Sequence, residues 1–345
     1  MKRTIERMMK ITLFATALLV NVCLMGCNEE SADETTNVTT ENNSTEKMES
    51  TEEIKMEGSH DSDVEILKKI FEEQRNNGVY MPDDITDSRY YQWNEEGRLT
   101  SVNISCGVSG HLSLEGLTAL KDLDCAVNEL ESLNVSGCIS LENLQCDYNK
   151  LTNLNVSGCT SLKYMICNDN NLTNLNVSGC TSLVELDCYN NNLTSLDVSG
   201  CTLLEDLDCS GNALTGLNVS GCTSLEDLHC SDNTLTSLNV SGCRALWRLS
   251  CSENNLASLD VSECIALGIF LCNENTLTSL DVSKCTSLTS LSCRANNLTS
   301  LDVSGCTLLE DLDCSGNALT SLDVSGCTSL DTMQFNCDSD CEVKY

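Results

Sequence analysis

Hydrophobic and polar positions recur along most of the chain with a fixed spacing of 21 residues. Written from its first leucine, the unit is L-x-x-L-x-C-x-x-N-x-L-T-x-L-D/N-V-S-G-C-T-S, and residues 309–329 match every position of it. Ten full units begin at Leu120 and then at every 21st residue up to Leu309. A fixed period of this size predicts a solenoid, because each unit can bury its apolar side only against its neighbours.

The unit is also nested, since L-x-x-L-x-C-x-x-N in its first ten residues is echoed by L-T-x-L-D-V-S-G-C in the next eleven. Both walls of each coil are therefore predicted to be extended, and too few residues remain for a helix. Each coil adds one strand, at roughly 4.8 Å, to a parallel sheet. The predicted fold is a β-rich, curved solenoid of about 11–12 coils with a parallel concave sheet, an extended convex side and a small α/β N-terminal cap.

The repeating unit resembles the leucine-rich repeat family, whose strand segment reads L-x-x-L-x-L-x-x-N/C-x-L, with cysteine here in place of the third leucine. Its 10 + 11 nesting resembles the short bacterial class of that family. The resemblance implies that the asparagine hydrogen-bonds neighbouring backbone at a turn, which suits a side chain that both donates and accepts. A structural ladder is therefore predicted for the ten asparagines Asn128, Asn149, Asn170, Asn191, Asn212, Asn233, Asn254, Asn275, Asn296 and Asn317.

The chain has 25 cysteines, and 20 of them form two columns with the same spacing. The column from Cys125 occupies an inward strand position, and the column from Cys138 corresponds to the asparagine of the first half-unit. Free cysteine is a small, readily buried side chain, so both columns are interpreted as buried thiols. Disulfide ladders, which would need distortion in every repeat, and zinc sites, which favour C-x-x-C pairs, are the alternatives. A disulfide between Cys337 and Cys341 that closes the last coil is a separate hypothesis.

Residues 1–27 combine a basic start, an apolar stretch and the ending Leu24-Met25-Gly26-Cys27. This pattern predicts a secretion signal and resembles the bacterial lipoprotein signal. The resemblance implies that Cys27 is lipidated and anchors the protein to the outer face of a bacterial cell membrane. An ordinary cleaved signal and an uncleaved anchor are the alternatives. Residues 28–60 are rich in Glu, Ser, Thr and Asn, which predicts a disordered acidic tether.

Residues 61–98 are expected to form an N-terminal cap. A helix is predicted from the spacing of Val64, Leu67, Ile70 and Phe71 up to a glycine C-cap at Gly78. A hairpin with its turn at residues 94–97 follows. The solenoid is predicted to span residues 99–337, with a C-terminal tail or cap at 338–345.

At the C-terminal end, Leu330, Met333 and Phe335 are expected to continue the 21-residue phase. Leu330 would then stand at the first position of an eleventh unit, and Met333 and Phe335 at its two inward strand positions.

The formal net charge is −33 and the isoelectric point is near 4.1. No basic stripe is available to neutralise phosphates, so nucleic-acid binding is not expected. The three histidines lie in no catalytic constellation, and neither an enzymatic activity nor a cofactor is expected. A calcium ladder is the weaker alternative for Asp260, Asp281, Asp302 and Asp323, because Asn replaces Asp at this position in other coils and the calcium loop motif is absent.

Ligand-binding residues are expected where outward positions of the concave strands depart from the Asp, Asn and Ser of the other coils. Tyr, Trp and Arg are the side chains most enriched at binding hot spots. The candidate residues are Tyr148, Tyr164, Ile166, Tyr189, His229, Trp247, Arg248, Ile269, Leu271 and Arg294. Drift on a tolerant surface is the alternative explanation.

These features together predict a membrane-tethered, surface-exposed protein that recognises a protein or glycan partner through its concave face, in adhesion or in recognition of host or neighbouring cells. A structural or scaffolding envelope lipoprotein without a dedicated ligand is the alternative. Uniform Ser, Asp and Asn along the concave face would favour the scaffold, whereas an apolar and aromatic patch flanked by charge favours recognition.

Overall fold

The computed structural model describes residues 61–79, 81–104, 107–331 and 333–345. The predicted signal sequence, Cys27 and the predicted tether lie outside the described residues. In the described part of the chain, helix α1 (Asp61–Asn76) precedes the sheets. Among the described residues, no helix has both the length and the apolar character needed to cross a membrane.

The main sheet holds one short strand from each coil. In the part of the chain that the structure describes, it has 13 strands, in the spatial order β1 (Tyr91–Trp93), β2 (Leu99–Asn103), β4 (Asp122–Asp124), β6 (Asn143–Gln145), β8 (Tyr164–Ile166), β9 (Glu185–Asp187), β10 (Asp206–Asp208), β12 (Asp227–His229), β14 (Arg248–Ser250), β15 (Ile269–Leu271), β16 (Ser290–Ser292), β17 (Asp311–Asp313) and β19 (Phe335–Asn336). Strand β1 pairs with β2 in antiparallel orientation, and the others pair in parallel. The parallel arrangement confirms the predicted β-rich solenoid.

The second wall of each coil is extended but forms strands only in places. These strands are β3 (Ser109–Ser113), β5 (Glu129–Asn134) and β7 (Asn153–Asn155) in one sheet, β11 (Gly216–Asn218) and β13 (Ser237–Asn239) in another, and β18 (Ser321–Asp323) and β20 (Glu342–Lys344) in a third. Isolated bridges join Asn176 to Asp197 and Asp281 to Asp302. The extended convex side follows from the nested half-units.

The core is a continuous stack of leucine, valine and cysteine side chains inside the coils. In β10, Leu207 is fully buried while Asp206 and Asp208 on either side of it are half-buried, and Cys209 of the first cysteine column is fully buried. All cysteines of the two columns are free thiols and are buried.

The ladder asparagines connect each coil to the coil before it. Asn191 donates from Nδ2 to the carbonyl oxygens of Cys167, Cys188 and Tyr189 at 3.1–3.3 Å, and its Oδ1 accepts the backbone N–H of Leu172 at 3.0 Å. Equivalent bonds are present at both ends of the ladder, at Asn128 and Asn317. A buried amide whose donor and acceptor are both satisfied stabilises the turn.

The second cysteine column makes the thiol version of the same contact. Cys159 donates its thiol to the carbonyl oxygen of Val135, 24 residues earlier, at 3.2 Å. Asn170 donates across the same separation to the carbonyl oxygen of Cys146. The nested half-units therefore share one turn geometry, in which the asparagine amide makes more hydrogen bonds than the cysteine thiol.

Helix α1 covers the first coil through an ion pair. The Asp63 carboxylate is almost fully buried and accepts from Arg98 Nε at 2.8 Å, from Arg98 Nη2 at 3.1 Å and from the backbone N–H of Leu99 at 3.0 Å. The Phe71 ring meets the Tyr91 ring edge-on at 6.0 Å. The helix ends near Gly78, whose φ of 77° is left-handed, as expected for a glycine C-cap.

The expected phase at the C-terminal end is right at Leu330, whose N–H donates to the carbonyl oxygen of Cys327 as that of Leu309 does to Cys306. It is wrong by two residues at Met333 and Phe335. Phe335 pairs with Leu312, and Asn336 pairs with Asp313. The residue beside Cys314 is therefore Cys337 and not Phe335. Met333, expected at an inward position, is 87% exposed. The two extra residues form a turn, in which Gln334 donates its N–H to the carbonyl oxygen of Asp331 at 2.9 Å.

Candidate binding surface on the concave sheet

The concave sheet presents two outward side chains from each strand, on either side of a buried central residue. Because strands pair in register, equivalent residues of neighbouring coils lie side by side, about 4.8 Å apart. From β8 to β16 the first outward column is Tyr164, Glu185, Asp206, Asp227, Arg248, Ile269 and Ser290, and the second is Ile166, Asp187, Asp208, His229, Ser250, Leu271 and Ser292. The surface therefore changes from apolar to acidic and back to apolar.

Strands β9, β10 and β12 carry the acidic section of this surface. Glu185, Asp187, Asp206, Asp208 and Asp227 lie on these three neighbouring strands. Partial burial, together with the nearby charges of Asp208, Glu185 and Asp206, raises the pKa of Asp187 to about 7, against the opposing effect of the Tyr189 N–H. Like charges this close repel one another and oppose folding. The coil does not require them, because the same positions carry serine in β16.

Trp247 lies just before β14, and its indole rests on the backbone of the next coil. A Cβ on Gly268 would lie 2.5 Å from Cε3 of Trp247 and closer still to Cζ3 and Cη2. The Gly268 N–H also donates to the Trp247 carbonyl oxygen at 2.8 Å. The tryptophan remains 40% exposed, so it presents a broad apolar face that is held in place.

Arg248 lies between the acidic and apolar sections. Its Nε is 3.7 Å from Oδ1 of Asp227, which is an ion pair but too long for a hydrogen bond. This Nε is buried without a hydrogen-bond partner among the described residues. Ile269 lies beside Arg248 on the next strand, and Leu271 lies beside Ser250. Both apolar side chains are half-buried.

The structure does not bring all the predicted ligand residues together. Trp247, Arg248, Ile269 and Leu271 lie together, and His229 is on the strand next to Arg248. Tyr164 and Ile166 lie on β8, four strand spacings or about 19 Å from β14. Arg294 is at the turn after β16, where Nη1 is 3.6 Å from Oε1 of Glu274.

Tyr148 and Tyr189 belong to a hydrogen-bond network at the turns that follow the strands. Their hydroxyls interact with the carboxylate of Asp169, which also accepts from the side-chain amides of Asn168 and Asn190. Burial raises the pKa of Asp169, but the four hydrogen bonds lower it by more. The pKa of Asp169 is therefore below that of a free aspartate. The hydroxyl of Tyr189 is thus engaged within the protein.

The convex aspartates cap turns. Oδ1 of Asp281 accepts the N–H of Ser283 at 2.9 Å, and Asn239 makes the equivalent bond to Ser241 at 3.1 Å. An amide or a carboxylate oxygen serves equally well, which explains why Asp and Asn alternate here. Within the described residues, no three His, Cys, Asp or Glu side chains are grouped closely enough to hold a metal ion.

Sequence reasoning did not identify Gly268 or Asp169 as parts of this surface. Gly268 has no side chain that could contact a ligand, so the sequence did not mark it as a candidate. Its importance comes from the Trp247 ring that covers it. A signal was present, however, because Gly268 is the one glycine at the second position of the repeat, and the one tryptophan at that position, Trp247, lies one unit earlier.

No protein-family model and no curated protein matches the chain. Among solved structures, the functional domain of InlJ from Listeria monocytogenes, which includes a cysteine ladder, is 38% identical with a TM-score of 0.62. That match covers 71% of this chain and 53% of the solved chain, so the chain spans about half the length of this neighbour.

Two further bacterial structures share the fold at lower identity. YopM from Yersinia pestis has a TM-score of 0.60 and 22% identity, over 81% of this chain and 78% of that one. The leucine-rich repeat protein LIC12759 from Leptospira interrogans has a TM-score of 0.55 and 22% identity, over 66% and 68%. With its stacked parallel strands and asparagine ladder, the chain has the fold of these leucine-rich repeat proteins.

Proposed function

We propose that this chain is a membrane-tethered recognition protein of the short, nested bacterial leucine-rich repeat class, displayed on the cell surface through a lipid on Cys27. Its concave sheet binds a protein partner, in adhesion or in recognition of host or neighbouring cells. The protein acts by binding rather than by catalysis. The similarity to bacterial leucine-rich repeat proteins supports this proposal by analogy of fold.

The observation that carries the proposal is the Trp247 indole resting on Gly268, beside Arg248, Ile269 and Leu271. An exposed aromatic side chain held against backbone loses little conformational freedom when a ligand covers it, which favours binding. Tryptophan and arginine are also the residues that most often dominate interface energies. A scaffold without a ligand would not need this arrangement.

The acidic section next to this patch favours a partner with basic side chains. The five carboxylates on β9, β10 and β12 repel one another. No feature of the coil requires them, since serine occupies these positions in β16. Perturbed ionisable groups that the fold does not need are typical of functional sites. The proposed partner segment is a polypeptide with lysine or arginine next to a large apolar side chain.

A random peptide library displayed on phage and panned against the immobilised full chain tests this proposal. The enriched peptides should combine basic residues with an aromatic or large aliphatic residue. Trp247→Ala should weaken their binding at least tenfold, which corresponds to about 1.4 kcal/mol. The double variant Asp206→Asn with Asp208→Asn should weaken binding and reduce its dependence on salt.

Ile139→Ala is the matched control, because Ile139 is an exposed apolar residue, at 52%, outside the concave strands. Its peptide affinity should equal that of the wild type. Enriched peptides without basic residues, or peptides that bind the Trp247→Ala variant as well as the wild type, would contradict the proposal. Inhibition by free sugars would indicate a glycan ligand instead.

A further inference from the structure

The first cysteine column gains one more member in the C-terminal coil. The backbone N–H and the thiol of Cys314 both donate to the carbonyl oxygen of Asn336, at 2.9 Å and 3.4 Å. Cys337 therefore follows directly beside Cys314, one strand spacing away. Among the described cysteines, Cys337 is the one that is only partly buried. It is the member of the column that a reagent in solution can reach.

A short turn brings Cys341 back to Cys337. The N–H of Cys341 donates to the carbonyl oxygen of Asp338 at 3.0 Å, and Cys341 is 8% exposed. The Asp338 carboxylate accepts the backbone N–H groups of Gly316 and Asn317 at 3.0 Å and 3.1 Å, which holds the turn on the preceding coil. The turn is thus formed and anchored without a covalent bond.

The thiol of Cys337 interacts with the thiols of both Cys314 and Cys341. The two neighbours differ in their geometry. Cys314 is a ladder neighbour, one strand spacing from Cys337, and all three of these cysteines are free thiols in the structure. Cys341 is in the same turn as Cys337, where no strand pairing fixes the separation of the two side chains. A disulfide needs Cβ atoms near 3.8 Å and a specific torsion, which the turn allows and the ladder does not.

We propose that Cys337 and Cys341 form an oxidative modification site that closes the C-terminal coil, with a small-molecule disulfide as the oxidant. This site is independent of the proposed binding surface on β8 to β16. A bond between these residues ties the start of β20 to the end of β19, so it covers the end of the cysteine column and protects the remaining thiols.

The chemistry is thiol–disulfide exchange. The Cys337 sulfur, after losing its proton, attacks one sulfur of the oxidant R–S–S–R and expels R–S⁻, which takes up that proton. The Cys341 sulfur then loses its proton and attacks the Cys337 sulfur of the mixed disulfide, expelling the second R–S⁻. The two cysteines are oxidised by two electrons, and the oxidant is reduced to two R–SH. Cys337 reacts first because it is accessible, while burial and the neighbouring Cys337 thiol raise the pKa of Cys341 to about 11.

The test is oxidation of the folded full chain with oxidised glutathione at about pH 8, where exposed thiols are partly ionised. Free thiols are then alkylated, and the chain is cleaved before aspartate, which separates Cys337 from Cys341 at Asp338 and Asp340. The expected product is a linked pair of fragments that is lighter by two hydrogen atoms than the reduced pair. The column thiols from Cys125 to Cys314 should carry the alkyl group once the protein is unfolded.

Two variants distinguish the partner. Cys341→Ser should stop at the mixed disulfide, with one glutathione on Cys337, whereas Cys314→Ser should still form the bond between Cys337 and Cys341. Circular dichroism establishes whether each variant is folded. If a variant is not folded, the disulfide found in the fragments of the wild-type chain identifies the partner of Cys337. A wild-type bond between Cys314 and Cys337, a lasting mixed disulfide on Cys337, or no reaction at Cys337 would overturn the proposal.

Discussion

The Trp247 indole occupies the space that a side chain at Gly268 would fill, 21 residues later in the neighbouring coil. This relationship couples a residue that has no side chain to the broad apolar face of the indole on the concave surface. It also predicts the consequences of adding one methyl group there.

Gly268→Ala should displace the Trp247 ring, because the new Cβ would overlap three ring carbons. The chain has two tryptophans, so the measurement uses Trp93→Phe as the background. We expect the Trp247 emission to shift to longer wavelength and the affinity for the selected peptides to fall about tenfold, or about 1.4 kcal/mol. Gly179→Ala is the control, because a Cβ at Gly179 meets nothing within 4 Å. An unchanged emission would show that the ring does not depend on Gly268.

Asp187→Asn should change the pH dependence of stability. The folded pKa of Asp187 is about 7, against 3.8 for a free aspartate. Between these two values the folded state holds more protons, so its ionisation lowers the free energy of unfolding as pH rises from about 4 to 7. Asparagine does not ionise, so the variant does not lose this free energy of unfolding as pH rises. Its side-chain oxygen can still accept the N–H of Tyr189.

The Asp187→Asn variant should therefore exceed the wild type in stability above pH 7, by on the order of 2 kcal/mol, and match it near pH 4. Urea unfolding at several pH values measures the difference. A stability difference that is independent of pH would contradict the assigned cause.

Val127→Gly should stabilise the protein. Val127 has a φ of 56°, in the left-handed region that a β-branched residue tolerates poorly, while Gly211 and Gly316 occupy the equivalent position of other coils. The valine is 46% exposed, so little packing is lost. We expect a gain of about 0.5–1 kcal/mol in urea unfolding. Asp232→Gly, at a φ of 52°, should gain less, because aspartate tolerates this region better. A loss of stability at Val127→Gly would refute the strain argument.

The two cysteine columns should respond differently to serine. Burial alone raises the pKa of Cys251 to about 12, and a hydroxyl there would be buried among apolar side chains, so Cys251→Ser should cost about 1–3 kcal/mol. Cys159→Ser should cost less than about 1 kcal/mol, because the hydroxyl can donate to the carbonyl oxygen of Val135 as the thiol does. Thermal unfolding of both variants measures the contrast. Equal losses would show that the two columns have the same surroundings.

Much of the surface could be predicted from the repeat. Arg248 and Ile269 are side by side as expected, because residues 21 apart lie in register. The network at Asp169 could not be predicted, because the two tyrosines that reach it lie on different coils and their directions depend on side-chain rotamers. The end of the solenoid could not be predicted either, since two added residues shift Phe335 and Cys337 out of phase.

By itself, the sequence determined the solenoid, its inward leucine and cysteine columns, and which outward positions depart from the common unit. A strict period suffices for this, because every coil buries the same positions against identical neighbours. Only the tertiary structure decided that Trp247 rests on Gly268, that burial and neighbouring carboxylates raise the pKa of Asp187, and that Cys337 meets two thiols. These features depend on the contacts and surroundings of individual side chains in neighbouring coils, which a repeat pattern does not specify.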